Sequence, residues 1–293
     1  MAEGKYHRTA HRGFRRIAKA FWSAPREGLI YGHAELDVSK LRRFQEDVER
    51  VHGIRPSVGQ FLGRAVAHAL TVVPEGNAKI IWGRAYLKDT VDVYFQVDVE
   101  DGKDLSGVVV PDTGSKTVVE VARILRERAE RLRSGGDEQY EKTQKGCVGR
   151  LPSFAIRWLL GALTFLEYNL GVTPTFLGAR PEPFGTVMVT NVSSFGIDVA
   201  YAPLVPVSRV PMVVLMGRVV DKAVVVDGEV VVRPILTASA TFDHRLLDGN
   251  KIGKIVRTVR AYMENPYSVE GEALGIPDPD ASPPAAPPPA EAS

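Results

Sequence analysis

One histidine in this sequence stands where a strand gives way to a helix, a placement suited to acid–base chemistry. Thr237–Phe242 is built of small and β-branched residues, which is a strand signal, and Asp243, His244 and Arg245 follow it. Asp248 and Gly249 close the turn. Beyond them Ile252, Ile255, Val256, Val259 and Tyr262 recur at spacings of three and four, a helical period. Histidine changes charge near neutral pH and suits a general base. A turn-constrained carboxylate four residues on, Asp248, can fix the ring or its neighbours. Two readings of this spacing stand side by side: a catalytic loop, and an ordinary polar turn in which the pair recurs by chance.

The rest of the chain must hold that turn in place. Its 293 residues are 44% hydrophobic, enough for one sizeable α/β core. Lysine and arginine number 37 against 35 aspartates and glutamates, and the resulting net charge of +2 gives no general case for nucleic acid. Cys147 is the single cysteine, which excludes an intrachain disulfide and a cysteine metal cluster and fits a reducing, cytoplasmic setting. The N-terminus is basic and polar, unlike a signal peptide. Residues 1–13 read as a basic arm and Phe14–Ser23 as a helix. Leu29–Val38 reads as a strand, and Val38–Val51 and Val58–Val73 as helices, the second opened by Pro56-Ser57 and apolar enough to be buried. His68 within it reads as a packed histidine. Tyr86–Val99 and Leu105–Val110 read as strands and Ser115–Arg133 as an amphipathic helix. Thr186–Val192, Met212–Val219 and Val224–Val232 read as further strands, with Asp227-Gly228 as a hairpin turn.

Asp243-His244-Arg245-Leu246-Leu247-Asp248-Gly249 resembles the Asp-His-Arg-x-x-Asp-Gly signature of the dihydrolipoamide acyltransferases, the core components of 2-oxo-acid dehydrogenase complexes. Gly185–Gly196 is similar to that family's Gly-Thr strand, and Pro74–Ala78 to its Pro-Glu-x-Asn-Ala. The resemblance implies one α/β domain with a mixed sheet covered by helices, like chloramphenicol acetyltransferase. It also implies a homotrimer with active sites between subunits, so that His244 of one chain faces Thr190 of its neighbour. His244 is then the general base, and the Thr190 hydroxyl stands where the family uses serine to stabilise an oxyanion. Asp248 holds the loop, paired with Arg12, which falls opposite a family arginine. Coenzyme A is the implied acyl carrier and no metal is needed. Residues 14–274 form the catalytic domain on this reading. The family's lipoyl and subunit-binding domains do not precede it in this sequence, so no covalently attached lipoyl group is expected. A separate lipoyl- or acyl-carrier protein then becomes the expected partner. The alternative class is a non-catalytic trimeric scaffold descended from such an enzyme. Retention of His244, Asp248 and a hydroxyl at 190 argues against it.

Two stretches depart from that family. Residues 146–183 form an insertion whose Leu151–Leu170 is apolar nearly all round, with Pro152 and Gly171 at its ends as start and stop. It packs on the core or another subunit, covers an acyl pocket with Trp158 as the candidate substrate contact, or lies on a membrane surface. So much apolar surface is expected to be docked rather than left in water. Residues 275–293 read as a disordered Pro/Ala-rich tail. Lacking apolar character, this tail is expected to stop assembly at the trimer.

Overall fold

A computed structural model describes residues 28–99, 104–133, 152–173, 175 and 182–281. The expected arm, the helix Phe14–Ser23 and Arg12 lie outside the described residues, as does the tail beyond residue 281.

Alternating runs at the sheet margin and continuous apolar runs at its centre produce the strands, and their pairing makes one mixed six-stranded sheet. In chain order the strands are β1 (Leu29–Asp37), β4 (Val93–Val99), β5 (Asp104–Val110), β6 (Val187–Asn191), β7 (Met212–Val226) and β8 (Glu229–Asp243), with β2 (Ala78–Ile81) and β3 (Arg84–Leu87) forming a separate hairpin. The spatial order is β1-β8-β7-β6-β4-β5. The β7–β8 hairpin turns at Asp227-Gly228, both at positive φ (51° and 87°), the backbone that a tight turn between twisted strands requires.

The helices are α1 (Ser39–His52), α2 (Val58–Val72), α3 (Val118–Arg133), α4 (Ser153–Leu170), α5 (Gly249–Glu264) and α6 (Tyr267–Leu274). Ser57 opens α2 with a capping box: its hydroxyl accepts from Gln60 N, and the Gln60 side chain accepts from Ser57 N. The main core lies between the sheet and α1, α2, α3, α5 and α6, where Leu36, Phe44, Phe61, Leu62, Leu236 and Tyr262 are buried. A second cluster, Met188, Val210, Val213 and Leu215, fills the opposite face under Ala200, Ala202, Leu204 and Val205. The start of β6, the first six residues of β7 and the last residues of β8 are therefore covered on both faces. His68 packs obliquely against Tyr262, and burial pushes its pKa down with help from Arg64.

Three expectations need correction. The strand read across Tyr86–Val99 is broken: β3 ends at Leu87 and β4 begins at Val93. The intervening bend carries Lys88, which pairs locally with Asp92 at 2.7 Å and, across the sequence, with Glu182. The tail expected to be free from Gly275 is held as far as residue 281. Ile276 is buried, and Asp280 meets Lys40 at 3.1 Å and Arg43 at 3.2 Å. Just ahead of it, α6 is tied in through Glu270, which accepts from Tyr262 Oη at 2.8 Å and Val118 N at 2.9 Å.

The third correction concerns the insertion. Pro152 is the N-cap of α4 and Gly171, at φ 67°, its C-cap. The helix sits on the β2–β3 hairpin and the segment before β7. Tyr168 is its anchor: Lys79 Nζ and the Ser208 carbonyl lie 3.2 and 3.4 Å from its hydroxyl. Arg209 stacks over the Tyr168 ring and donates to Asn169 Oδ1 at 2.6 Å. Trp82 packs edge-on to Phe165 and donates to the Asn169 carbonyl. Burial pushes Lys79 down and Tyr168 up, the usual cost of taking such groups out of water. Ile156 is buried with Tyr168, but Phe154 and Trp158 are 70% and 78% exposed. Trp158 therefore lines no acyl pocket within a single chain, where Ile156 and Tyr168 make the face that docks and Phe154 and Trp158 the face that does not. Among the described residues no helix is long and apolar enough to cross a membrane.

Candidate active site

β8 delivers the candidate turn, Asp243–Gly249. Its last residue, Asp243, pairs in register with Leu29 of β1 and donates its N–H to the Pro211 carbonyl at 2.8 Å. The chain then leaves the sheet, and His244 N donates to the Gly28 carbonyl at 2.7 Å. The His244 side chain is exposed at this end of the sheet. Its ring makes no hydrogen bond to another described residue.

The loop is clamped on both sides of the histidine. Asp243 is buried and binds Arg245 in a bidentate pair. Arg245 Nε reaches Oδ1 at 2.9 Å, its terminal nitrogen reaches Oδ2 at 2.6 Å, and Arg245 N donates to Oδ1 at 3.0 Å. Such fork geometry fixes orientation as well as charge. Leu247, fully buried, drives the far side of the turn into the core. Asp248 is the N-cap of α5, its carboxylate accepting from Lys251 N at 2.9 Å. That hydrogen bond, with the nearby Lys251 charge, holds its carboxyl below the usual aspartate range. Asp248 thus closes the loop by capping a helix. A cleft of about 150 Å³ beside it is lined by Glu75, Asn250, Lys251 and Lys254, among others.

The Asp243–Arg245 clamp is a feature of the loop that spacing alone did not assign. The signal was present, an acidic and a basic residue two apart across the histidine, yet it reads equally well as two solvated charges. Asp243→Asn is expected to reduce turnover about 10²-fold, the cost of a reacting group displaced by about 1 Å, with the melting profile of the fold retained. Turnover equal to that of the parent protein would show that the clamp positions nothing.

Thr190 occupies the penultimate position of β6, half-buried. The loop after it is tied to β7 by Val192 N to the Met216 carbonyl at 3.0 Å and Arg218 N to the Ile197 carbonyl at 3.2 Å. Gly217 permits this, since a Cβ there would fall 1.9 Å from the Asp198 carbonyl oxygen. The Thr190 hydroxyl makes no hydrogen bond to another described residue. Thr190 pairs with Leu215, and Leu215 with Ser239. His244 lies five residues beyond Ser239, about 16 Å along the strand, and two strand spacings across from β6, so the two backbones are about 19 Å apart. Within one chain the histidine and the threonine are not brought together. His244 and Asp248 are.

The profile of the 2-oxoacid dehydrogenases acyltransferase (catalytic domain) family matches residues 3–146 and 184–270. The chain is 25% identical over 238 residues, 79% of its own length, to the dihydrolipoyllysine-residue succinyltransferase component of the 2-oxoglutarate dehydrogenase complex of Bartonella vinsonii subsp. berkhoffii. The chain's match spans about half of that relative, 47%. A probable dihydrolipoamide acetyltransferase from Listeria monocytogenes 4b F2365 superposes with a TM-score of 0.61 at 17% identity, covering 96% of this chain and 99% of that one. The Azotobacter vinelandii dihydrolipoamide acetyltransferase, studied for the roles of a serine, a histidine and an asparagine in catalysis, also superposes at 0.61, with 16% identity over 91% of this chain and 94% of its own. The sheet order and helical layer are thus those of solved dihydrolipoamide acetyltransferase structures, and the chain belongs to the 2-oxoacid dehydrogenase acyltransferase catalytic-domain family.

Proposed function

We propose that the chain catalyses acyl transfer between coenzyme A and a second thiol, at a site shared by two subunits of a homotrimer. One observation carries the reading: His244 is exposed at the sheet end on a loop that the Asp243–Arg245 clamp, Leu247 and the Asp248 cap hold from both sides. A scaffold has no use for an imidazole presented to solvent on a loop clamped from both sides. In the Azotobacter enzyme the histidine and asparagine stand four residues apart, as His244 and Asp248 do. An asparagine carries no charge to relay, so a positioning role suits both side chains.

The chemistry follows from the groups. A free thiol has a pKa of about 8.5 and is mostly protonated at neutral pH. His244 takes the thiol proton as sulfur attacks the acyl carbonyl and the new carbon–sulfur bond forms. The carbonyl oxygen becomes an oxyanion, and Thr190 of the neighbouring subunit donates a hydrogen bond to it. Collapse of the intermediate breaks the original thioester bond, and the imidazolium returns its proton to the departing thiolate. Asn250, Lys251 and Lys254 beside the loop suit a phosphate-bearing carrier such as coenzyme A. A lipoyl group is the acceptor or donor that the family relationship favours. The separation of about 19 Å between His244 and Thr190 within a chain supports a shared site, since neither side chain can span it.

The test is release of free coenzyme A thiol from acyl-CoAs, with dihydrolipoamide, water and simple alcohols as acceptors. Release that requires dihydrolipoamide and this protein is expected. Release no faster than in buffer, across all donors and acceptors, would refute the reading.

A further inference from the structure

Between the sheet and helices α2 and α5 lies a cavity of about 240 Å³. Its floor is made of unusually small residues on paired positions: Gly32 faces Ala240, and Ala34 faces Ala238. Phe242 bounds one end and Leu36 the other. Apart from His33 and Ser239 the lining is apolar. An engineered apolar cavity of about 150 Å³ stays dry and takes up benzene, so this one is large enough for an apolar guest.

Gly32 is the informative residue. It sits in the middle of β1, where glycine weakens a strand and commonly marks the close approach of a ligand or another backbone. Its φ is not positive, so the backbone does not demand glycine. A Cβ there would meet only Phe242 Cε2, at 4.0 Å, an ordinary van der Waals contact, so packing does not demand it either. Glycine at this position leaves space. That space runs along β8 from Phe242 to Ala238, about 13 Å of strand. Phe242 is two residues before His244, so the cavity starts at the sheet end that carries the catalytic turn.

We propose that this cavity receives the chain of a medium-length, straight acyl group whose thioester is presented to His244. The proposal rests on the acyltransferase reading and names its substrate class. Burying one methylene is worth about fourfold in selectivity. Hexanoyl- and octanoyl-CoA are therefore expected to exceed acetyl-CoA in kcat/KM by 10²-fold or more.

Two measurements test it. In the first, the ratio of kcat/KM for octanoyl-CoA to that for acetyl-CoA is compared in the parent protein and in Gly32→Leu, with Ala238→Leu on the neighbouring strand as the second variant should Gly32→Leu lose its fold. The ratio is expected to fall about 10²-fold in the filled variants. In the second, sodium octanoate binding is measured by calorimetry in the parent, in His244→Ala and in the filled variants. Binding to the first two and its loss in the filled variants is expected. Octanoate binding without any acyl transfer would overturn the acyltransferase reading and leave an apolar-chain site standing. Transfer with a flat chain-length profile, or octanoate binding unchanged by filling the cavity, would overturn the proposal and leave the acyltransferase reading intact.

Discussion

Replacing His244 with alanine is expected to lower acyl transfer by about 10²- to 10⁴-fold, the usual cost of losing a general base. The fold should survive, because the side chain is exposed and its backbone bond to Gly28 does not depend on it. The Asp243–Arg245 pair and the Asp248 cap also remain in the variant. The comparison to make is kcat alongside thermal melting and oligomer mass. Loss of turnover with unchanged melting and mass is the expected pattern. Unchanged turnover in the folded variant would remove His244 from the mechanism and leave the loop as an ordinary turn.

Thr190→Val is expected to lower kcat by about 10²–10³-fold, the effect of deleting one oxyanion donor. Valine keeps the β-branched shape that suits β6 and removes only the hydroxyl. Thr190→Ser keeps the hydroxyl and should retain most of the activity. The loss should fall in kcat more than in KM, since the donor acts on charge that develops as the thiol adds. Equal losses in the serine and valine variants would assign the effect to packing, not to hydrogen bonding.

The parts of the fold legible in the sequence were those whose signal is local. Thr237–Phe242 is built of small and β-branched residues, a helical period follows Gly249, and Asp227-Gly228 reads as a tight turn. Each of these stands in the structure. Pro152 and Gly171 likewise bracket α4 because caps depend on backbone geometry at one residue. What could not be read depended on partners distant in sequence. Nothing near Lys88 announces that it will pair with Glu182. The β2–β3 hairpin turns at Trp82-Gly83, with tryptophan at φ 50°, a conformation rarely open to so bulky a residue. Apolar content made α4 look buried, but it does not say which side meets protein. Tyr168 and Ile156 do, and Trp158 does not. At the candidate site the order of importance was partly hidden as well. Type and spacing singled out His244 and Asp248 but left an ordinary polar turn as the other reading, and the family resemblance favoured the catalytic one; the clamp by Asp243 required knowing that this carboxylate is buried while Arg245 reaches back to it.

The claim that two chains build each site is tested most directly by mixing inactive subunits. His244→Ala protein retains the threonine and Thr190→Val protein retains the histidine. Co-refolded in equal amounts, they form mixed assemblies in which about a quarter of the sites pair an intact His244 with an intact Thr190 from the adjacent chain, if assembly is cyclic and random. Activity is expected to return to roughly that fraction of the parent value, well above either variant alone. Activity that stays at the level of the two separate variants, in mixed assemblies verified by mass, would contradict a site shared between subunits.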